Sequence, residues 1–209
     1  MKKIAVLDYG IGNVRSVKNA FAAVGAQAEV TRDKKKIKEC DGLILPGVGS
    51  FPEGMALLLQ HSLLKCLIGH IHSGKPLLGI CLGMQLLFER GTEFRETEGL
   101  GVIPGEIMPI PVKPSDGRLP HIAWTKICFE QSNTDPMFFG ISASQARFYF
   151  THSYTATQVP SSHVTGITYY LGQKIIASVR HKNVWGTQFH PEKSGPSGLK
   201  VLENFVRFC

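Results

Sequence analysis

The stretch Pro76-Leu77-Leu78-Gly79-Ile80-Cys81-Leu82-Gly83-Met84-Gln85 constrains this chain more than any other. An apolar run stops at a cysteine that has glycine two residues before and two residues after it, and a helix-compatible run, Met84 to Glu89, follows. That order is the pattern of a nucleophile elbow, a sharp turn between a strand and a helix. Residues on either side of such a turn crowd together, which favours glycine at both places. The expected geometry points the thiol away from a sheet, lays a helix N-terminus beneath it, and leaves the Leu82 N–H free for an oxyanion. A tight turn that carries a small buried thiol gives the same local pattern. The rest of the chain decides between them.

The 209 residues suffice for one α/β domain with a full core. No apolar run approaches transmembrane length. Asp8 ends the N-terminal run Ile4-Ala5-Val6-Leu7 too early for a signal-peptide core, so this run reads as a buried strand. The five cysteines, Cys40, Cys66, Cys81, Cys128 and Cys209, are odd in number and widely spaced, without a Cys-x-x-Cys pair. That argues against a disulfide framework or a zinc site and for a reducing cytoplasm, with the four besides Cys81 as core or terminal thiols. A net charge of +7 invites a nucleic-acid reading, but Lys34-Lys35-Lys36 is the only cluster and no aromatics interleave with it. Nucleic acid and membrane are therefore not expected partners.

In chain order, Lys3–Leu7, Gln27–Thr31, Gly42–Leu45 and Pro76–Ile80 read as buried strands. Between them lie helical patterns: Val14, Val17, Phe21 and Val24 with Asn13 as N-cap, then about Glu53–Gln60, then Leu63 to Ile71. Strands alternating with helices imply a parallel sheet. From Val102 to Phe189 short strand-like runs come close together, with hairpin signals such as Leu171-Gly172-Gln173 and one short helix over Thr134–Ile141. A small antiparallel section in the C-terminal half fits this. Leu199, Leu202, Phe205 and Val206 share one face of a closing helix.

A thiol nucleophile needs a base, and the base needs an orienting group. Of eight histidines, His70 and His72 read as surface residues of a helix, and His61, His163 and His181 carry no signal. His190 differs. It follows the apolar run Val184–Phe189, and Pro191 enforces an extended backbone at it. In an extended segment residues two apart face the same way, so Glu192 can accept a hydrogen bond from the His190 imidazole. Pro46-Gly47-Val48-Gly49, at the end of a predicted parallel strand, is a candidate for a second oxyanion donor or a simple strand-to-helix turn.

Gly79-Ile80-Cys81-Leu82-Gly83-Met84-Gln85 with Phe189-His190-Pro191-Glu192 resembles the class I, or triad, glutamine amidotransferases. Asp8-Tyr9-Gly10-x-Gly12-Asn13, Leu45-Pro46-Gly47-Val48-Gly49, Pro120-His121-x-x-Trp124, Phe150-x-His152-Ser153-Tyr154 and Gln188 to Ser194 narrow the resemblance to the glutaminase subunits of imidazole glycerol phosphate synthases. The family more often has Gly before Trp and Asn after it, where this chain has Ala123-Trp124-Thr125.

The resemblance implies a flavodoxin-like α/β fold, with a mostly parallel sheet flanked by helices, as one domain over residues 1–209. It implies Cys81 as nucleophile, His190 as base and Glu192 as its orienter. Leu82 N–H and, after a peptide flip, Val48 N–H would hold the oxyanion. Gly49, Gln85, Glu93, His152, Ser153 and Tyr154 would hold L-glutamine. Asn13, His121, Trp124 and Lys193 would face a cyclase subunit built as a (β/α)8 barrel, in a heterodimer. No metal or other cofactor is implied. Three rivals remain: the same chemistry serving another ammonia-dependent synthase, a stand-alone thiol or γ-glutamyl hydrolase, and a catalytically idle binding subunit.

Overall fold

The computed structural model describes residues 2–113, 115–129 and 135–209. The first half runs β1 (Ile4–Leu7), α1 (Val14–Ala23), β2 (Ala28–Thr31), α2 (Lys34–Glu39), β3 (Gly42–Gly47), α3 (Phe51–Gln60), α4 (Leu64–His72), β4 (Leu77–Cys81) and α5 (Leu82–Gln85). The second half adds β5 (Phe88–Gly91), β6 (Thr97–Glu98), β7 (Ile103–Pro109), β8 (His121–Lys126), β9 (Cys128–Phe129), β10 (Arg147–His152), β11 (Tyr154–Thr157), β12 (Val164–Tyr170), β13 (Gln173–His181), β14 (Val184–Thr187) and α6 (Gly195–Phe208).

Eight strands form the central sheet in the order β2-β1-β3-β4-β14-β13-β12-β9. The first five are mutually parallel, and β13, β12 and β9 continue the sheet antiparallel. Strands buried on both faces need apolar residues at successive positions, which is why β1 reads Ile-Ala-Val-Leu and β4 Leu-Leu-Gly-Ile-Cys. Alternation within them sorts the core into two layers. Ala5, Leu7, Leu43, Leu45 and Leu77 pack with Ile37 of α2, Met55 and Leu58 of α3, and Leu67 and Ile71 of α4. Ile4, Val6, Ile44, Leu78 and Ile80 pack on the other face with Val17 and Phe21 of α1 and Val201, Leu202 and Phe205 of α6. The fold is the expected mostly parallel α/β sheet flanked by helices.

The two-residue loop Leu171-Gly172 joins β12 to β13, and both residues have positive φ, 49° and 76°. This is the geometry a tight hairpin requires. A two-stranded ribbon, β10-β8, and a four-stranded sheet, β11-β7-β5-β6, complete the molecule.

Several expectations are corrected. The helix after Cys81 covers only Leu82–Gln85, not Met84 to Glu89. Leu86, Leu87 and Phe88 are fully buried, and the carbonyls of Leu86 and Leu87 accept from Leu100 and from Val102 and Ile103, so the chain has already turned into strand pairing. Non-central pairing thus begins at β5, before the C-terminal half, and β5 runs parallel to β7. The expected helix over Thr134–Ile141 is a 3₁₀ turn at Pro136–Phe138, and Thr134 lies outside the described residues. His70 is buried, not on the surface: its Nε2 lies 3.0 Å from the Pro76 carbonyl and its Nδ1 3.8 Å from Cys40 Sγ, and burial holds its pKa below the ordinary value. Cys128 is exposed on β9 rather than in the core.

Candidate active site

Parallel strands of an open α/β sheet gather functional groups beyond their carboxyl ends. Here β3 ends at Pro46-Gly47, β4 at Cys81 and β14 just before Gln188, and the three strands are neighbours. Cys81 has φ 55° and ψ −110°, a left-handed backbone that a non-glycine residue adopts only when its surroundings force it. The forcing contacts are visible. A Cβ on Gly79 would meet the Gly83 carbonyl oxygen at 2.6 Å, and one on Gly83 would meet the Leu45 carbonyl oxygen at 1.7 Å. The elbow closes against β3 only because both positions lack a side chain. One turn of helix offers free N–H groups beside Cys81 rather than the macrodipole of a long helix.

His190 and Glu192 converge, but not through one extended segment: His190 is extended, at φ −98° and ψ 97°, while Pro191–Lys193 form a 3₁₀ turn that brings Glu192 back to the imidazole. His190 Nδ1 lies 2.9 Å from Glu192 Oε1, and the two side chains are 2% and 1% exposed. Burial works against a charged imidazole here. The Cys81 sulfur and the Glu192 carboxylate outweigh it and lift His190 to about 10. Its buried Nε2 makes no hydrogen bond among the described residues, nor does Glu192 Oε2. A buried polar nitrogen left open is costly unless a reacting group is meant to meet it. Cys81 Sγ accepts from Gln188 Nε2 at 3.8 Å and lies 4.0 Å from the Thr151 carbonyl.

A cavity of about 300 Å³ opens over the sulfur. It is lined by Val48, Gly49, Cys81, Leu82, Gln85, Glu93, His152, Ser153, Tyr154 and His190, all of them candidate site residues in the sequence, together with Pro120 and Thr151, which were not. A larger groove, about 660 Å³, lies at the β2 edge among Lys2, Lys18, Lys36 and Glu39 and reaches Cys40, but burial pushes that thiol up to about 11, which keeps it protonated near pH 7. Volume alone does not mark the site.

Around the cavity, Gly49 takes φ 96°. Tyr9, fully buried, donates to the Pro46 carbonyl at 2.7 Å and braces the start of the same segment. Glu93 accepts from the Phe51 N–H at 2.8 Å, so it tethers the N-terminus of α3, two residues past Gly49. Gln85 donates to the Tyr154 carbonyl at 3.3 Å and to Gln188 Oε1 at 3.0 Å.

His152 and His121 form a buried pair, 3.0 Å between Nε2 of the first and Nδ1 of the second. His152 Nδ1 lies 2.8 Å from the Tyr154 carbonyl, which can only accept, so this nitrogen carries the proton. His152 Nε2 then accepts from His121 Nδ1–H, and His121 Nε2, 2.8 Å from Thr125 Oγ1, accepts from that hydroxyl. Burial pushes His152 down to about 3 and His121 to about 4, so both are neutral near pH 7.

The four residues expected at a partner face do not behave alike. Trp124 and Lys193 are exposed and Asn13 is half-buried. Trp124 packs edge-on to Tyr149 at 6.1 Å, and the Lys193 ammonium sits 5.8 Å from the same ring. His121 instead is fully buried, stacked between Phe150 and Tyr170. The outward β8 positions belong to Ile122 and Trp124, 57% and 51% exposed, because strand alternation turns His121 inward. Gln188, Thr151 and Pro120 were missed as site residues. For Gln188 and Pro120 a signal existed, their places in the motifs Gln188 to Ser194 and Pro120-His121-x-x-Trp124; for Thr151 there was none.

The family model described as glutamine amidotransferase class-I matches residues 5–208. The imidazole glycerol phosphate synthase subunit HisH of Bacillus cereus is 45% identical over 202 residues, covering 97% of this chain and 93% of that protein. The subunit of the same name from Lactococcus lactis subsp. lactis is 42% identical over 206 residues, 99% and 98% of the two chains. The solved structure of PurLQS from Thermotoga maritima matches the fold with a TM-score of 0.76 at 21% identity, covering 100% of this chain and 99% of that one. The elbow cysteine, the buried His–Glu pair and the cavity above them thus sit in a chain that belongs to the class-I glutamine amidotransferases.

Proposed function

We propose that this chain is the glutaminase subunit of an imidazole glycerol phosphate synthase, releasing ammonia from L-glutamine for a cyclase partner. The observation that carries the reading is the convergence, in one cavity of about 300 Å³, of Cys81, the His190 base oriented by Glu192, and the glutamine-holding set named from the sequence. The near-full-length likeness to HisH subunits supports the choice of pathway, histidine biosynthesis.

In this reading Cys81 Sγ attacks the side-chain amide carbon of glutamine, a C–S bond forms as the carbonyl π pair moves to oxygen, and Leu82 N–H holds the oxyanion. Val48 N–H becomes the second donor when its peptide turns; Gly49, with its φ of 96°, is the flexible neighbour that permits the turn. His190 Nε2–H protonates the departing nitrogen, the C–N bond breaks, and ammonia leaves. His190, now neutral, takes a proton from water, the thioester is hydrolysed to glutamate, and the thiolate–imidazolium pair returns. The carbonyl oxygen of Gln85, without a hydrogen bond among the described residues, is left for the substrate. Glu93 and the backbone at Gly49 and Ser153 hold the amino-acid end, and His152 and Tyr154 form the wall.

Residues 1–209 act as one domain in this account, which the family match over 5–208 supports. The partner is a barrel-shaped cyclase forming a heterodimer in the cytoplasm, where the complex acts as a lyase. The exposure of Val48, which lines the cavity, and of Ile122, Trp124 and Lys193 supports a docking face on this side of β8. Among the described residues no single helix is long and apolar enough to cross a membrane.

The test is covalent trapping. A glutamine-mimicking electrophile should label Cys81 alone among the five cysteines, and His190→Ala should slow labelling by about 10²-fold or more. An unlabelled Cys81 in folded protein would mean an idle site. Cleavage of peptides or γ-glutamyl chains by the chain alone would favour the stand-alone hydrolase.

A further inference from the structure

We propose that Gln188 is a positioning residue for the nucleophile: its amide is locked with the N–H end on Cys81 Sγ. The inference rests on the reading of Cys81 as the attacking group and goes beyond the triad.

Gln188 follows β14, fully buried, with its backbone N–H on the Ala177 carbonyl at 2.9 Å. A buried amide is tolerated when both its ends are satisfied. Which end points where is decided by a group that cannot flip. The Tyr154 carbonyl only accepts, so the Gln85 end that lies 3.3 Å from it is the NH₂. The second hydrogen of that NH₂ goes to Gln188 Oε1 at 3.0 Å. The opposite end of Gln188 is then a donor, and the atom it meets is Cys81 Sγ at 3.8 Å. Turning Gln188 over would set NH₂ against NH₂ and take the N–H donor off the sulfur.

The direction therefore propagates from a backbone carbonyl through two amides to the sulfur. A thiol sulfur is a weak acceptor and a thiolate a strong one, so a fixed N–H favours the charged form. The same contact holds the Cys81 side chain in one position on its strained backbone. It also joins the nucleophile to Gln85, so substrate reading and sulfur position share one hydrogen-bonded chain.

The test uses the full chain with its partner subunit. Gln188→Met keeps length and removes the donor, and Gln188→Glu replaces it by an acceptor. Alkylation of Cys81 by iodoacetamide is followed across pH by peptide mass, with near-ultraviolet circular dichroism to confirm packing. In Gln188→Met the alkylation rate at pH 7 should fall about ten-fold and its pH midpoint should move up. Gln188→Glu should move the midpoint further, and glutamine kcat should fall more than KM rises. A purely structural role would lower rates without moving the midpoint. If Gln188→Met fails to fold, Gln85→Leu removes the donor that orients Gln188 and should move the midpoint the same way. Unmoved midpoints in the folded variants overturn the proposal. Glutamine turnover surviving Cys81→Ala would overturn the reading of the site instead.

Discussion

At the scale of single residues, the site is held by what is absent as much as by what is present. Gly83 lets the elbow lie against the Leu45 carbonyl; an alanine there would place Cβ 1.7 Å from a backbone oxygen that cannot swing away. Gly83→Ala should cost about 3 kcal/mol or more, read as a lower chemical-denaturation midpoint, and should lose glutaminase activity with it. Retained stability would show that β3 and the elbow can separate. Glu192 acts differently. Its carboxylate accepts from His190 Nδ1–H and lies 1% exposed, so Glu192→Gln weakens the orientation and charge that keep the imidazolium in place. Glutamine-dependent kcat should drop by about 10²-fold or more, with KM changed little. A drop confined to KM would assign Glu192 to substrate binding.

At the scale of elements, β8 and β10 form a ribbon whose inward face carries the His121–His152 pair, register partners on opposing strands. Both imidazoles are neutral when folded, His121 down to about 4 and His152 down to about 3, against an ordinary value of 6.5. Their contribution to stability is full above about pH 6.5. As pH falls below that, the unfolded chain binds protons that the folded pair refuses, so stability is lost. Urea midpoints measured from pH 7 to pH 5 should therefore fall steadily, and the fall should shrink in His152→Gln. A flat profile over that window would mean the pair is solvated. The sequence makes some elements plain and hides others, for physical reasons. The parallel strands are legible because burial on both faces demands apolar runs, and Cys81 and His190 are legible because a turn and a proline fix their backbones; that Glu192 reaches His190 from a 3₁₀ turn rather than an extended strand is not. The end of α5 is not, because Leu86-Leu87-Phe88 suits a buried helix and a buried strand equally. Nor is the burial of His70 or His121: each depends on a partner far away along the chain, Cys40 for one and His152 for the other.

At the scale of the whole molecule, the central sheet gathers Cys81, His190 and the Pro46–Gly49 segment beyond the carboxyl ends of three adjacent strands, β3, β4 and β14. Trp124 is exposed and packs on Tyr149, whose ring centroid lies 6.5 Å from that of His190. Trp124→Ala should weaken association with the cyclase by about thirty-fold, some 2 kcal/mol, while Cys81 remains open to the trapping reagent. Unchanged association would move the docking face elsewhere. The central claim, that Cys81 releases ammonia for a partner, is tested most directly by reconstitution. The chain is mixed with its cyclase, and synthesis of imidazole glycerol phosphate is measured with glutamine and, separately, with ammonium salt as nitrogen source. Cys81→Ala should abolish the glutamine-dependent reaction and leave the ammonium-dependent one intact. Survival of both reactions in Cys81→Ala would contradict the account.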